Sequence, residues 1–215
     1  MVVPPLDASL VVALTAAALG PPPGAVETVG PARASGVIVH AEPGGRAVVR
    51  LRPRTPYGGR QRLWVRERRG DWIKVAVEDG PRGTGWVRGR DVRPASYRRF
   101  RIVIDRSAKR LSVIGRGSRW STPVVIGGDA TPTPLGTFQV SDRIDGARYG
   151  GTYGARVLVL SAYGDRTRTS RVAIHGVPPA AKSRLFSAGC VRVPRAALLR
   201  LFAQAPPGTP VRVID

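Results

Sequence analysis

The chain has 215 residues, of which 42% are hydrophobic, and a formal net charge of +21. That apolar content supports a packed core and excludes a chain disordered throughout. Two histidines and one cysteine exclude a structural zinc site, so neither metal nor cofactor is expected.

The charge calls for an anionic partner or surface. Arginine supplies 32 of the 35 basic residues, and these are spread along the whole chain. Such a skew is also what GC-rich codon usage produces. No zinc-finger, RNP-type or helix-turn-helix signature accompanies it, so no nucleic-acid partner is expected.

At the N-terminus, Leu10 to Leu19 is an apolar run, too short for a bilayer span, which needs roughly 20 residues. It matches the core of an export signal followed by small residues near Ala18, although Asp7 stands where a basic residue is usual. A short buried helix is the alternative. Residues 1–20 are therefore expected to be a leader, and 21–35, rich in Pro and Gly, a linker. No later segment is long and apolar enough to cross a membrane. Export implies an oxidising compartment, where a lone cysteine has no internal disulfide partner. It is then either an inert buried residue or a group kept for its chemistry.

From Gly36 five short β runs follow: VIVH, AVVRL, RLWVRER, DWIKVAV and GWVRGRDV. Turn signals such as PGG, YGG and RGD separate them, which predicts a small barrel over 36–95. Trp64, Trp72 and Trp86 fall here, to pack its core or to stack on a glycan or peptide. His40 is expected to be an ordinary strand or surface residue. RPASYRR (93–99) reads as a connection. The runs FRIVID, KRLSVIG, RWSTPVVIG, GTFQVSD, ARVLVLSAY and VAIHG predict a second β domain over 98–215. Its one good helix starts near Pro194, with Ala197, Leu198, Leu201, Phe202 and Ala205 on one face. The run TPVRVID adds a last strand.

His175 ends the VAIHG run, and Cys190 lies fifteen residues later in SAGCVRV. A thiolate is the nucleophile, and a nearby imidazole can remove the thiol proton. The segment VPPAAKSRLFSA between them is polar and Pro-interrupted, which permits the chain to return. Gly189 would let a substrate approach the backbone, and N–H groups there could bind a developing oxyanion.

Two blocks carry a family resemblance. LWVRERRGDWIKV and GTGWVRGRDV resemble bacterial Src homology 3-like modules. IHG…SAGCVRV, with TPTPLGTF (131–138) upstream and the run YGARVLVLSAY before the histidine, resembles the L,D-transpeptidase catalytic domain, the YkuD-like fold. The resemblance implies a mainly β protein: a small Src homology 3-like β-barrel followed by a β-sandwich with one or two short helices. It implies an exported envelope enzyme acting on the stem peptides of peptidoglycan. Cys190 would attack the carbonyl between diaminopimelate and D-alanine, giving a thioester that a neighbouring amine resolves into a 3→3 cross-link. His175 would be the base, oriented by the Gly176 carbonyl. Gly189 and Cys190 N–H groups would form the oxyanion hole. Ser187 would orient the loop, and Arg192 would hold the loop or a substrate carboxylate. TPTPLGTF would brace the cleft. Ala188 stands where many members have histidine, which leaves His175 as the one candidate base. Papain-like enzymes have the reverse order, cysteine before histidine. Water as acceptor would make an L,D-carboxypeptidase, and a degenerate site would leave a wall-binding protein. Anionic wall polymers are a further expected partner of so basic a chain.

Overall fold

The computed structural model describes residues 26–77, 83–115, 117–149, 153–163, 171–176 and 187–215. The expected leader lies outside these residues. The fold is mainly β, with fifteen strands and one α-helix among the described residues, and no described helix is long and apolar enough to cross a membrane.

The first sheet contains β1 (Val26–Pro31), β2 (Val37–His40), β3 (Ala47–Leu51), β4 (Leu63–Arg69), β5 (Trp72–Ala76), β6 (Thr84–Arg88) and β7 (Val92–Arg98). Their order is β3-β2-β6-β5-β4-β1-β7. Period-two burial explains the strands: Val37 and Val39 of β2, and Ile73 and Val75 of β5, point into one core with Val29, Leu63 and Val87. Gly36 has φ +84°, and a Cβ there would lie 2.0 Å from the Leu51 carbonyl oxygen. Only glycine lets the start of β2 sit this close to the end of β3.

Two boundaries differ from the sequence reading. The stretch read as a linker holds β1, which lies between β4 and β7. Its apolar pattern is interrupted by Glu27 and Thr28, yet both are buried, and Glu27 is ion-paired with Arg68 of β4. The stretch read as a connection is mostly β7. It is the edge strand, where Pro94 needs no partner for a backbone donor.

The second sheet runs β10-β9-β8-β15-β11-β12-β13-β14. Its strands are β8 (Arg101–Asp105), β9 (Arg110–Gly115), β10 (Ser118–Pro123), β11 (Gly136–Asp145), β12 (Arg156–Tyr163), β13 (Arg171–Gly176), β14 (Val191–Val193) and β15 (Pro210–Ile214). Pairing is antiparallel except between β8 and β15 and between β13 and β14. Helix α1 (Arg195–Gln204) follows Pro194, which is its N-cap rather than a first-turn residue. Leu198 and Leu201 are buried against Leu158, Leu160, Val172 and Ile174. Ala197 and Phe202 pack on the same core, and Ala205 is buried at the helix end. The expected apolar face is thus the one used.

Side chains tie the two sheets together. Trp64 Nε1–H donates to the Gly208 carbonyl at 3.1 Å. Gln139 Nε2–H donates to the Arg62 carbonyl at 2.8 Å. Asp142 Oδ1 accepts from Thr55 Oγ1–H at 2.6 Å and from the Gly59 N–H at 3.2 Å. Trp64 is thus a junction residue, closed to a ligand at 2% exposure. Trp86 is buried beneath Arg69 and Lys74. Trp72 lies under Arg88, edge-on to His40. His40 ends β2, its Nδ1–H donating to the Gly45 carbonyl at 2.8 Å.

Replacing Trp64 by Phe keeps most of the packing and leaves the Gly208 carbonyl buried without its donor. The expected cost is about 1–3 kcal/mol of unfolding free energy, read as a lower urea midpoint. An unchanged midpoint would mean that the junction contributes nothing to stability.

Candidate active site

The site is built on the parallel pairing of β13 with β14. Ile174 faces Val191, His175 faces Arg192, and Gly176 faces Val193. Side chains alternate across a sheet. Val172 and Ile174, with Val191 and Val193, enter the core beneath α1. Ala173 and His175, with Arg192 and Cys190, therefore share the opposite face. There Ile144, Val157, Val159 and Ala173 form a small apolar floor, and Cys190 packs against it.

His175 is buried, with 4% of its surface exposed. Its Nδ1 lies 2.7 Å from the Gly176 carbonyl oxygen. A carbonyl can only accept, so Nδ1 carries the proton and Nε2 keeps its lone pair. Burial lowers the imidazole pKa from 6.5 to about 4; the Gly176 hydrogen bond opposes this, and the Arg192 charge adds to it. The ring is neutral at pH 7. Tyr153 stands edge-on to it, with ring centroids 5.1 Å apart. The Tyr153 carbonyl accepts from the Gly176 N–H at 3.0 Å, so one residue supports both the ring and the peptide that orients it.

Cys190 is half-buried and free. Burial pushes its thiol pKa up, while a backbone hydrogen bond from Ala173 and the charge of Arg192 pull it down. The resting pair is thus a neutral thiol and a neutral base, with one guanidinium acting on both. Arg192 disfavours imidazolium and favours thiolate.

The loop before Cys190 is held from two sides. Ser187, 5% exposed, donates its hydroxyl to the Cys190 carbonyl and closes the turn through Ala188 and Gly189. Its backbone N–H bonds the Ile126 carbonyl at 2.7 Å. Arg192 exchanges two backbone hydrogen bonds with Val125, at 2.8 and 3.0 Å. From the other side comes Thr133 of the TPTPLGTF block, wholly buried. Its Oγ1–H donates to the Gly189 carbonyl at 3.0 Å and accepts from the Gly127 N–H at 3.0 Å. A Cβ on Gly127 would lie 2.1 Å from the Thr131 carbonyl oxygen and 2.9 Å from Gly189 Cα. Gly189 has φ +94°, a conformation that favours glycine.

The six residues singled out from the sequence therefore meet at one place. Tyr153 and the bridging part of Thr133 were not singled out individually. Both lie in stretches that the sequence marked, YGARVLVLSAY and TPTPLGTF. Among the described residues, no group of three or more His, Cys, Asp or Glu side chains could hold a metal. Cys190 and His175 thus stand on one face of the β13–β14 pair, next to the turn through Gly189.

The family model for the L,D-transpeptidase catalytic domain, YkuD, matches residues 99–213. Among solved structures, Bd1075 from Bdellovibrio bacteriovorus is 25% identical, with 54% of this chain and 48% of that one covered and a TM-score of 0.46. An L,D-transpeptidase from Stackebrandtia nassauensis is 16% identical, covering 55% and 56%, with a TM-score of 0.42. L,D-transpeptidase 1 from Mycobacterium tuberculosis is 17% identical, covering 67% and 87%, with a TM-score of 0.42. The chain spans about half the length of the first two. No curated protein matches it.

Alkylation of Cys190 by iodoacetamide is expected to be slow at pH 7 and to rise through a midpoint above the ordinary thiol value. In Arg192→Gln that midpoint moves higher, because the charge that favours thiolate is gone. A wild-type midpoint below the ordinary value would contradict the neutral pair.

Proposed function

Because the chain belongs to the L,D-transpeptidase catalytic-domain (YkuD) family, we propose that it is a peptidoglycan L,D-transpeptidase, forming 3→3 cross-links through a Cys190 thioester. The observation that carries this reading is the shared face of Cys190, Arg192 and His175, set by the β13–β14 register.

The donor is a stem tetrapeptide whose third residue is diaminopimelate and whose fourth is D-alanine. Cys190 Sγ attacks the carbonyl carbon between them as its proton passes to His175 Nε2. The Gly189 and Cys190 N–H groups hold the oxyanion. His175 then returns the proton to the departing D-alanine amine, and the C–N bond breaks to leave a thioester. The side-chain amine of a second stem attacks that thioester, loses its proton to His175, and expels the Cys190 thiolate, which is reprotonated. Neutral His175 suits both halves: it takes a proton in each addition and returns one in each collapse.

Ala188 does not enter this scheme, since the base is His175 and the turn is closed by Ser187. Residues 26–98 we read as the accessory module of Src homology 3-like type. An exported protein acting outside the membrane fits the substrate.

Full-length protein incubated with a diaminopimelate tetrapeptide is expected to gain the mass of the tripeptide acyl group and to release a cross-linked dimer. Cys190→Ala abolishes the adduct, and His175→Gln slows acylation about 10²- to 10⁴-fold. An adduct yielding only free tripeptide would assign water as acceptor. No adduct on folded protein would contradict the reading.

A further inference from the structure

A cleft of about 590 Å³ lies between the two sheets, away from Cys190. Its size is that of a ligand site. Arg50, Arg52, Arg54 and Arg66 of the first unit and Arg171 of the second line it, and among the described residues no carboxylate does.

The guanidiniums are ordered rather than scattered. Arg50, Arg52 and Arg54 are exposed, while Leu51 and Pro53 between them are half-buried. Arg54 Nη1–H is fixed on the Gly58 carbonyl at 2.7 Å. Arg66 is stacked 4.9 Å from the centre of the Trp64 ring, and burial holds its pKa below the ordinary guanidinium value. Like charges gathered around one cavity repel, and an anion between them removes that cost. The opposite wall is not charged apart from Arg171. It includes Thr137, the half-buried Phe138 and Ser161, whose Oγ accepts from the Gln139 N–H at 2.9 Å, a mixed polar and apolar wall that suits the hydroxyls and carbon backbone of a polyol or sugar.

We propose that this cleft binds a segment of an anionic, hydroxyl-bearing polymer, its phosphate or carboxylate groups on the row of arginines and its polyol or sugar units against β11 and β12. The site places the polymer at the junction of the two units, so it engages both at once. The proposal is independent of the acyl-transfer reading, because no residue of the cleft belongs to the Cys190 site.

The test measures binding of the full chain to polyglycerol phosphate and to polygalacturonate at low salt, with single-stranded DNA as a third probe. Two triple variants carry the same change in net charge. One is Arg52→Gln, Arg54→Gln, Arg66→Gln in the cleft. The other is Arg101→Gln, Arg110→Gln, Arg119→Gln on β8, β9 and β10, at the far edge of the second sheet. The melting temperature of each shows that it is folded. The cleft variant is expected to bind about tenfold or more weakly and the edge variant to stay within about twofold of wild type. Preference for polyglycerol phosphate or for polygalacturonate identifies phosphate or carboxylate as the anion. Equal losses in both variants would reduce the effect to net charge and overturn the site. Tighter binding of DNA than of either polymer would overturn the polymer class. Cys190→Ala binds the polymer as wild type does, so this test and the acylation test fail separately.

Discussion

The short parallel pairing between β13 and β14 is the constraint on which the site depends. Three residues of β14 suffice, because each alternate side chain has a separate task. Val191 and Val193 anchor the strand in the core beneath α1. Arg192, between them, lies beside His175, and Cys190 arrives on the same face one step earlier. Strong apolar anchoring on one side of the sheet thereby positions polar chemistry on the other. A slip of one residue would turn Cys190 into the core and expose Val191.

The electrostatics follow from that placement. A buried imidazole with no carboxylate partner among the described residues, hydrogen-bonded to a backbone carbonyl, stays neutral. A half-buried thiol on an apolar floor stays protonated. The two therefore do not form a resting ion pair. Arg192 favours the thiolate and disfavours the imidazolium, so its charge acts in opposite senses on a proton passing from Cys190 to His175. Tyr153, Thr133 and Ser187 hold the Gly176 N–H and the carbonyls of Gly189 and Cys190, so His175 and Cys190 are flanked by hydrogen-bonded backbone.

Much of the site was legible because it is local. His175, Gly176, Ser187, Gly189, Cys190 and Arg192 occur within eighteen residues, in an order that itself resembles a family. The role of Thr133 was half legible: its block was marked as a brace, but its partner is 56 positions away. Strand β14 was hidden by its length, and β7 by Pro94. Strand β1 was hidden by Gly and Pro around it and by Glu27 and Thr28, whose burial depends on Arg68 and on packing against the second unit. A sequence pattern reports burial only where burial is apolar. The junction was illegible for a related reason, since Trp64 and Gly208 are 144 residues apart and neither signals the other. The apolar face of α1 and the runs VIVH, AVVRL and DWIKVAV, by contrast, are used much as they stand, whereas GWVRGRDV is broken after Arg88 by a 3-10 turn over Gly89–Asp91 and Val92 opens β7.

The measurement that tests the account most directly is an NMR titration of His175 in the resting protein, with nitrogen-15 in the imidazole. A neutral ring at pH 7, protonated on Nδ1 and bare at Nε2, titrating near the value of about 4 that burial sets, is the predicted result. An imidazolium at pH 7, or a proton on Nε2, would mean that the thiol and the ring form an ion pair or a different tautomer, and would contradict the account.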